Sequence, residues 1–125
     1  MWLQEDRAIF ESSGVKRLNA MQSVVFNTAY RSNENLLVCA PTGAGKTNVA
    51  LLCVLRAVRM HRQSLAADDD ASAARRRARA GPMAGFKVVY VAPMKALAAE
   101  MTATFAKRLA PLGLTARALC SVPLC

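Results

Sequence analysis

The strongest structural signal in this chain is a glycine-rich stretch that directly follows a short apolar run. Residues 40–47 read Ala-Pro-Thr-Gly-Ala-Gly-Lys-Thr, which is the phosphate-binding loop pattern GxxxxGK(S/T) with alanine in its first position. Gly43 and Gly45 allow positive φ and carry no Cβ that would obstruct a phosphate. Successive backbone amides can then point into one concavity at the start of the following helix. The pattern therefore predicts a strand, a tight loop and a helix, in that order.

The last residues of the loop carry the predicted chemistry. Lys46 is expected to place its ammonium against the β- and γ-phosphates of a nucleotide, and Thr47 to ligate Mg²⁺ through its hydroxyl. These two residues are the catalytic candidates, and Thr47 is also the candidate metal ligand. The alternative is a glycine-rich turn that binds nothing. The apolar run before the loop and the helical pattern after it disfavour that alternative.

Three segments have the character of buried strands. Residues 36–40 form a short continuous apolar run, which is typical of a strand buried on both faces. Residues 86–92 are rich in β-branched and aromatic types, and residues 114–119 predict the start of a third strand.

Helical spacing of apolar residues separates these segments. It predicts helices over 18–30, with Asn19 as the N-cap, over 46–60, and from Met94 to a stop at Pro111 and Gly113. Alternation of strands and helices predicts an α/β fold with a parallel sheet and flanking helices.

The chain has 125 residues, which is enough for one small domain. Residues 1–17 are mixed polar with little period and predict a lead-in segment. Low-complexity sequence over 63–85 combines an aspartate run at 68–70 with an arginine cluster at 75–79. It predicts a flexible surface insertion.

The charge balance and the distribution of apolar residues limit the classes of protein to which the chain can belong. Seventeen Lys and Arg against eight Asp and Glu give a formal net charge of +9. This charge suits a polyanionic partner such as nucleic acid, but it equally suits a fragment whose acidic remainder is missing. No stretch approaches the ~20 apolar residues of a membrane span, and the first residues lack the apolar core of a secretory signal.

Cysteine and histidine spacing does not indicate a metal centre. Cys39, Cys53, Cys120 and Cys125 form no CxxC pair, and His61 has no partner at metal-ligand spacing. Cys39 and Cys53 lie inside apolar runs, so we predict them to be buried thiols of a reducing compartment.

Two further positions are candidates for contacting ligands. The carboxamide of Gln22 can meet the N6 and N7 edge of adenine with a donor and an acceptor together, although a polar residue on a helix surface is the alternative. Residues 93–95 (Pro-Met-Lys) follow the second predicted strand, where ligands bind in doubly wound sheets. Lys95 and the free amides of that helix start could hold a nucleic-acid phosphate. An ordinary strand-to-helix turn with a solvated lysine is equally consistent with the spacing.

Several segments together resemble a known family. Residues 18–23 (Leu-Asn-Ala-Met-Gln-Ser), 33–37 (Asn-Glu-Asn-Leu-Leu), 40–48 (APTGAGKTN) and 90–101 (YVAPMKALAAEM) are similar to the Ski2-like superfamily 2 helicases. The resemblance covers residues 14–117 without the insertion. It implies an ATP-driven, 3′-to-5′ helicase with two RecA-like domains and a channel for one strand between them. Residues 18–119 would then be a partial RecA-like ATP-binding domain.

The resemblance also implies roles for particular residues. By matching positions, Gln22 senses adenine, and the nucleotide is held by Ala40, Pro41, Thr42, Gly43, Ala44, Gly45, Lys46, Thr47 and Asn48. Pro93, Met94 and Lys95 contact the strand backbone, and Phe10 is a candidate to stack on adenine. The implied cofactors are ATP and Mg²⁺. The implied partners are single-stranded RNA or DNA, the rest of the helicase and a multi-subunit complex in the nucleus and cytoplasm.

The chain departs from the family pattern near its end. After Arg117 such helicases continue into an acidic Thr-Gly-Asp stretch, whereas residues 118–125 here read Ala-Leu-Cys-Ser-Val-Pro-Leu-Cys. We interpret residues 120–125 as a tail unlike the family, which a truncated gene model or reading out of frame near the end would explain. No Asp-Glu pair follows an apolar strand, so we expect negligible ATP hydrolysis by this chain. A small non-helicase P-loop protein is one alternative function. A basic nucleic-acid-binding piece acting through residues 75–79 is another.

Overall fold

The computed structural model describes residues 3–67, 75, 79–81 and 83–119. Its long helices are α1 (Gln4–Ser12), α2 (Ala20–Arg31), α3 (Lys46–Ala66) and α4 (Lys95–Leu109), and a 3-10 turn at Ala110–Leu112 follows α4. Residues 75, 79 and 80 are helical as well. The chain divides into two compact units. We call Val15–Phe86 the loop unit, because it contains the glycine-rich loop, and Met1–Gly14 with Lys87–Cys125 the terminal unit.

The core of the loop unit lies between α2 and α3. Its fully buried side chains are Tyr30, Leu51, Leu52 and Leu55. Arg59 fastens the end of α2 to α3, because its guanidinium donates to the Tyr30 carbonyl at 3.0 Å and lies 4.8 Å from the centre of the Tyr30 ring. The start of α3, which carries the end of the loop, is therefore held on a packed helix pair.

The terminal unit contains a helix that the sequence pattern did not reveal. Residues 1–17 show little apolar period, yet Gln4–Ser12 form α1, which packs against α4. Glu5 and Asp6 occupy its first turn, where negative charge complements the helix dipole. Its apolar anchors are few: Ile9 and Phe10 are buried. Packing of these two side chains in the tertiary structure thus stabilises a helix whose apolar residues show little helical period.

No β-strand is formed among the described residues, so the predicted parallel sheet is not confirmed. Burial still alternates residue by residue from Leu36 to Ala40, which is the period of a strand. Leu37 is 89% exposed, and Val89 and Val91 are 83% and 86% exposed. Burial of both faces, as predicted for 36–40, is therefore wrong in this structure. Residue types favour strand-like backbone, but a strand also requires backbone hydrogen bonds from a neighbour.

The predicted helix starts are confirmed more closely than the predicted ends. Helix α2 begins after Asn19 as expected, and Gly113 ends the turn after α4 in the left-handed conformation. Helix α3 continues to Ala66, past the expected end at residue 60, because residues 61–66 contain neither Gly nor Pro. Residues 68–74, 76–78 and 82 of the predicted insertion lie outside the described residues.

The prediction of buried thiols is wrong, since Cys39 and Cys53 are both exposed. Cys53 lies on α3 between the buried residues Leu52 and Leu55, and it borders a cavity with Thr28, Ala29 and Ser32. Its partial burial raises the pKa of the Cys53 thiol, while a backbone hydrogen bond and the charge of Arg56 act in the other direction.

Two general features concern the part of the chain that the structure describes. No helix there combines the length and the apolarity that a membrane span requires. No group of three or more His, Cys, Asp and Glu side chains is placed there to hold a metal ion.

Candidate nucleotide-binding site

The glycine-rich loop has the backbone conformation that its sequence predicts. Gly43 and Gly45 both have φ of 84°, in the left-handed region that residues with a Cβ avoid. The amide of Ala44 donates to the Pro41 carbonyl at 3.2 Å and closes a turn. Gly45 is the N-cap residue of α3. The loop therefore leads directly into the first turn of a helix. In that turn the Asn48 amide donates to the Gly45 carbonyl at 3.0 Å, and the amides before it have no carbonyl partner inside the helix.

Gly45 is required for a second reason besides its backbone angle. A Cβ built at this position would overlap the side-chain nitrogen of Gln22 and would also come within 3.4 Å of the Asn19 side chain. At Gly43, by contrast, a Cβ would meet nothing within 4 Å. The chain thus needs glycine at 43 for its conformation alone, and at 45 for its conformation and for the close approach of α2.

Lys46 is folded back over the loop that precedes it. Its ammonium donates to the carbonyls of Ala40 at 2.6 Å and Pro41 at 2.8 Å. The side chain is exposed, so the ammonium remains accessible to an anion from solvent. In this conformation Lys46 ties the start of the loop to its end, and a phosphate would compete with these carbonyls for its N–H groups.

The start of α2 is closed by a capping box between Asn19 and Gln22. The Asn19 side-chain oxygen accepts from the Gln22 amide at 2.9 Å, and the Gln22 side-chain oxygen accepts from the Asn19 amide at 3.1 Å. Such a reciprocal pair satisfies donors that the first helical turn leaves open.

The same two side chains also hold the loop. The Asn19 carboxamide donates to the Ala44 carbonyl at 2.9 Å, and the Gln22 carboxamide donates to the Gly45 carbonyl at 3.1 Å. We call these two hydrogen bonds the α2 clamp. Gln22 is only 3% exposed, so its bond to the loop is shielded from water, whereas Asn19 is exposed.

Two peptide groups of the loop have their direction set by the clamp, together with the Asn48 amide, which also donates to the Gly45 carbonyl at 3.0 Å. In a trans peptide the carbonyl and the following N–H point in opposite directions. Because the Ala44 and Gly45 carbonyls point toward α2, the N–H groups of Gly45 and Lys46 point away from it. These are amides that the loop pattern assigns to phosphate binding, and the clamp aims both of them to the same side.

The other predicted site residues are distributed over both units. Thr47 and Asn48 lie half-buried in the first turn of α3, next to Lys46. Pro93, Met94 and Lys95 are exposed in the terminal unit, with Met94 as the N-cap residue of α4.

Phe10 also belongs to the terminal unit and is 2% exposed. In this structure a base therefore has no open face of the Phe10 ring to stack on.

Asn19 has a contact in the site that the sequence pattern did not predict. The sequence predicts it as an N-cap, which is confirmed, but not as a contact of a loop 25 residues away. The sequence did contain one indication of this contact, namely that the cap residue is asparagine. Ser, Asp and Asn all cap helices, yet only Asn brings an amide donor as well.

The chain matches known proteins over most of its length. Residues 19–122 match the DEAD/DEAH box helicase family. Over 106 residues the chain is 56% identical to activating signal cointegrator 1 complex subunit 3 of Gallus gallus. It is 48% identical over 107 residues to the DExH-box ATP-dependent RNA helicase DExH14 of Arabidopsis thaliana, and 49% identical over 102 residues to the U5 small nuclear ribonucleoprotein 200 kDa helicase of Caenorhabditis elegans.

These alignments cover unequal shares of the two partners. They include 85%, 85% and 82% of this chain respectively, but only 4% of each relative.

Proposed function

The chain belongs to the DEAD/DEAH box helicase family, as the sequence resemblance predicted, and we propose that it forms the part of an ATP-dependent helicase that holds MgATP. The observation that carries this proposal is the conformation of residues 40–48. Two left-handed glycines lead into α3, and the clamp turns the amides of Gly45 and Lys46 to one side. A concavity of backbone amides at a helix start suits the phosphates of a nucleotide.

The residues present fit a nucleotide with its metal ion. No side chain occupies position 45, and none could be built there without displacing Gln22, so the backbone at this point can be approached closely. Lys46 would exchange its carbonyl partners for the β- and γ-phosphates, and Thr47 would offer its hydroxyl oxygen to Mg²⁺, which prefers oxygen ligands. ATP would supply the phosphoanhydride bond whose cleavage drives a helicase.

Recognition of adenine by Gln22 requires its carboxamide to become accessible, because the residue is only 3% exposed in this structure. A carboxamide has two N–H groups and two acceptor sites. Its bonds to the Asn19 amide and the Gly45 carbonyl use one of each. The second N–H and the second acceptor site match the N7 and N6 groups of adenine. We therefore propose that Gln22 links recognition of the base to the position of the loop.

The proposal for nucleic acid rests on the terminal unit and on charge. Exposed Pro93, Met94 and Lys95 begin α4, where amides and an ammonium can contact phosphates of a single strand of RNA or DNA. The net charge of +9 is consistent with such a partner. Translocation from 3′ to 5′, assembly with the rest of a helicase in a multi-subunit complex, and a nuclear and cytoplasmic location are further parts of the proposal.

Family membership favours this proposal over a small non-helicase P-loop protein. It does not make this chain an active ATPase. The sequence contains no Asp-Glu pair after an apolar strand, and this pair would hold Mg²⁺ and activate water. We therefore propose that the chain binds MgATP and hydrolyses it negligibly.

Calorimetric titration of the chain with MgATP tests the proposal. Lys46→Ala removes charged hydrogen bonds to phosphate, so we expect affinity to fall about 10-fold or more. Lys16→Ala is the matched control, because Lys16 is an exposed lysine of the same unit and its loss changes the net charge equally. Equal affinity of wild-type and Lys46→Ala chains would contradict the assigned role of the loop.

A further inference from the structure

We infer that Asn19 is a positioning residue of the phosphate loop, and that this task requires asparagine rather than any good helix cap. The inference rests on the proposed binding of MgATP. Its basis is the two-sided use of one carboxamide: the oxygen accepts from the Gln22 amide at 2.9 Å, while the nitrogen donates to the Ala44 carbonyl at 2.9 Å.

Capping and loop contact make opposite chemical demands. The cap needs an acceptor, which Ser and Asp supply as well as Asn. The loop contact needs a donor, because the Ala44 carbonyl can only accept. An aspartate at position 19 would therefore keep the cap and place a carboxylate against a carbonyl oxygen. A serine would keep the cap without added charge, but its side chain is too short to span both partners.

The contact affects phosphate binding through the peptide between Ala44 and Gly45. Holding the Ala44 carbonyl toward α2 holds the Gly45 N–H toward the opposite side. Gln22 does the same for the next peptide through the Gly45 carbonyl. A loop whose amides already face the ligand loses less conformational freedom when it binds. Asn19 thus raises affinity without touching the nucleotide.

The two contacts of the clamp are not equivalent. The Gln22 contact is buried, whereas Asn19 is exposed to water, which competes for its hydrogen bond. Loss of one such bond corresponds to a change in affinity of about 3- to 10-fold, with the lower value expected for an exposed contact. The effect should be the same for any ligand that carries the phosphates, because Asn19 acts on the loop alone.

The experiment compares wild-type, Asn19→Ser and Asn19→Asp chains, with Asn35→Ser and Asn35→Asp as controls. Asn35 is exposed in the same unit and is not part of the site. Three quantities are measured: the melting temperature, the affinity for MgATP and for magnesium tripolyphosphate, and the amide NMR shift of Gly45. Tripolyphosphate has no base, so its affinity reports on the loop without any contact between Gln22 and adenine.

We expect both Asn19 variants to melt near the wild-type temperature, because the cap is kept. Affinity for both ligands should fall by the same factor, about 3-fold or more in Asn19→Ser and further in Asn19→Asp, where the added charge also repels phosphate. The Gly45 amide shift should move in both variants and stay unchanged in the Asn35 controls. If Asn19 were only a helix cap, a role that Ser and Asp also fill, the ligand affinities and the Gly45 amide shift would stay at their wild-type values along with the melting temperature.

Two outcomes separate this inference from the proposed function. If the wild-type chain binds MgATP and Asn19→Ser binds it equally well, the positioning role is overturned and the proposed function stands. If the wild-type chain binds neither ligand, the proposed function fails. In that case the NMR shift of the Gly45 amide tests Asn19 by itself. An unchanged shift in the Asn19 variants would overturn the positioning role of Asn19 as well.

Discussion

Replacing the two loop glycines one at a time separates conformational strain from steric overlap. Gly43 and Gly45 have the same φ of 84°, so Gly43→Ala and Gly45→Ala place alanine in the same unfavourable backbone region, at about 1 kcal/mol or slightly more each. Only at Gly45 does the new Cβ meet other atoms, because it overlaps the Gln22 carboxamide. Both variants therefore have the cost of a positive φ, but only Gly45→Ala has the additional cost of overlap with Gln22.

The additional cost at Gly45 follows from the bonds that Gln22 must give up. To make room, its buried side chain has to leave the Gly45 carbonyl and the Asn19 amide. Each partly buried hydrogen bond contributes about 0.5–1.5 kcal/mol. Gly45→Ala should therefore lower the free energy of unfolding by about 2–4 kcal/mol, which is about 1–3 kcal/mol more than Gly43→Ala.

Urea unfolding followed by helical circular dichroism measures this difference. Trimethylamine N-oxide in all samples keeps the less stable variants folded at zero urea. In a Gln22→Ala background the overlap no longer exists, so the extra cost of Gly45→Ala should disappear and its effect should match that of Gly43→Ala. Equal destabilisation by the two glycine variants in the wild-type background would refute the steric argument. So would an extra cost that survives in the Gln22→Ala background.

Two further predictions concern α3. Because partial burial raises the pKa of Cys53, a smaller fraction of this thiol is ionised at pH 8 in the folded chain than in the unfolded chain, so iodoacetamide should modify Cys53 more slowly in buffer than in concentrated urea. Peptide mapping by mass spectrometry measures both rates, and equal rates would contradict the raised pKa. Arg59→Met removes the bond to the Tyr30 carbonyl and the contact with its ring, so it should lower the free energy of unfolding by about 1–2 kcal/mol in urea titrations. Arg17→Met, at an exposed position, should change it by less than about 0.5 kcal/mol, and similar losses in the two variants would show that the Arg59 contacts add nothing.

Features that depend on neighbouring residues in the chain were predictable. The N-cap at Asn19, the positive φ of Gly43 and Gly45, the start of α3 at Lys46 and the helix stop at Gly113 were all expected and are all observed. Each is set within a few residues by capping chemistry or by the absence of a Cβ. Membership of the helicase family was recognisable for the same reason, because its motifs are short contiguous segments.

Features that require a distant partner were not predictable from local pattern. Residues Gln4–Ser12 form a helix despite their weak apolar period, because tertiary packing buries one side of it. Cys39 and Cys53 are exposed although both lie in apolar runs, because packing of the helices decides which residues of a run face solvent. Residues 36–40 have strand-like composition and alternating burial but no strand, since a strand depends on its neighbour.

The α2 clamp belongs to the same class. Asn19 and Gln22 reach carbonyls 25 and 23 residues further along the chain. The residues near Asn19 and Gly45 determine a helix cap and a glycine-rich loop. Packing of α2 against α3 then brings the cap into contact with the loop, and these contacts orient the amides of the loop.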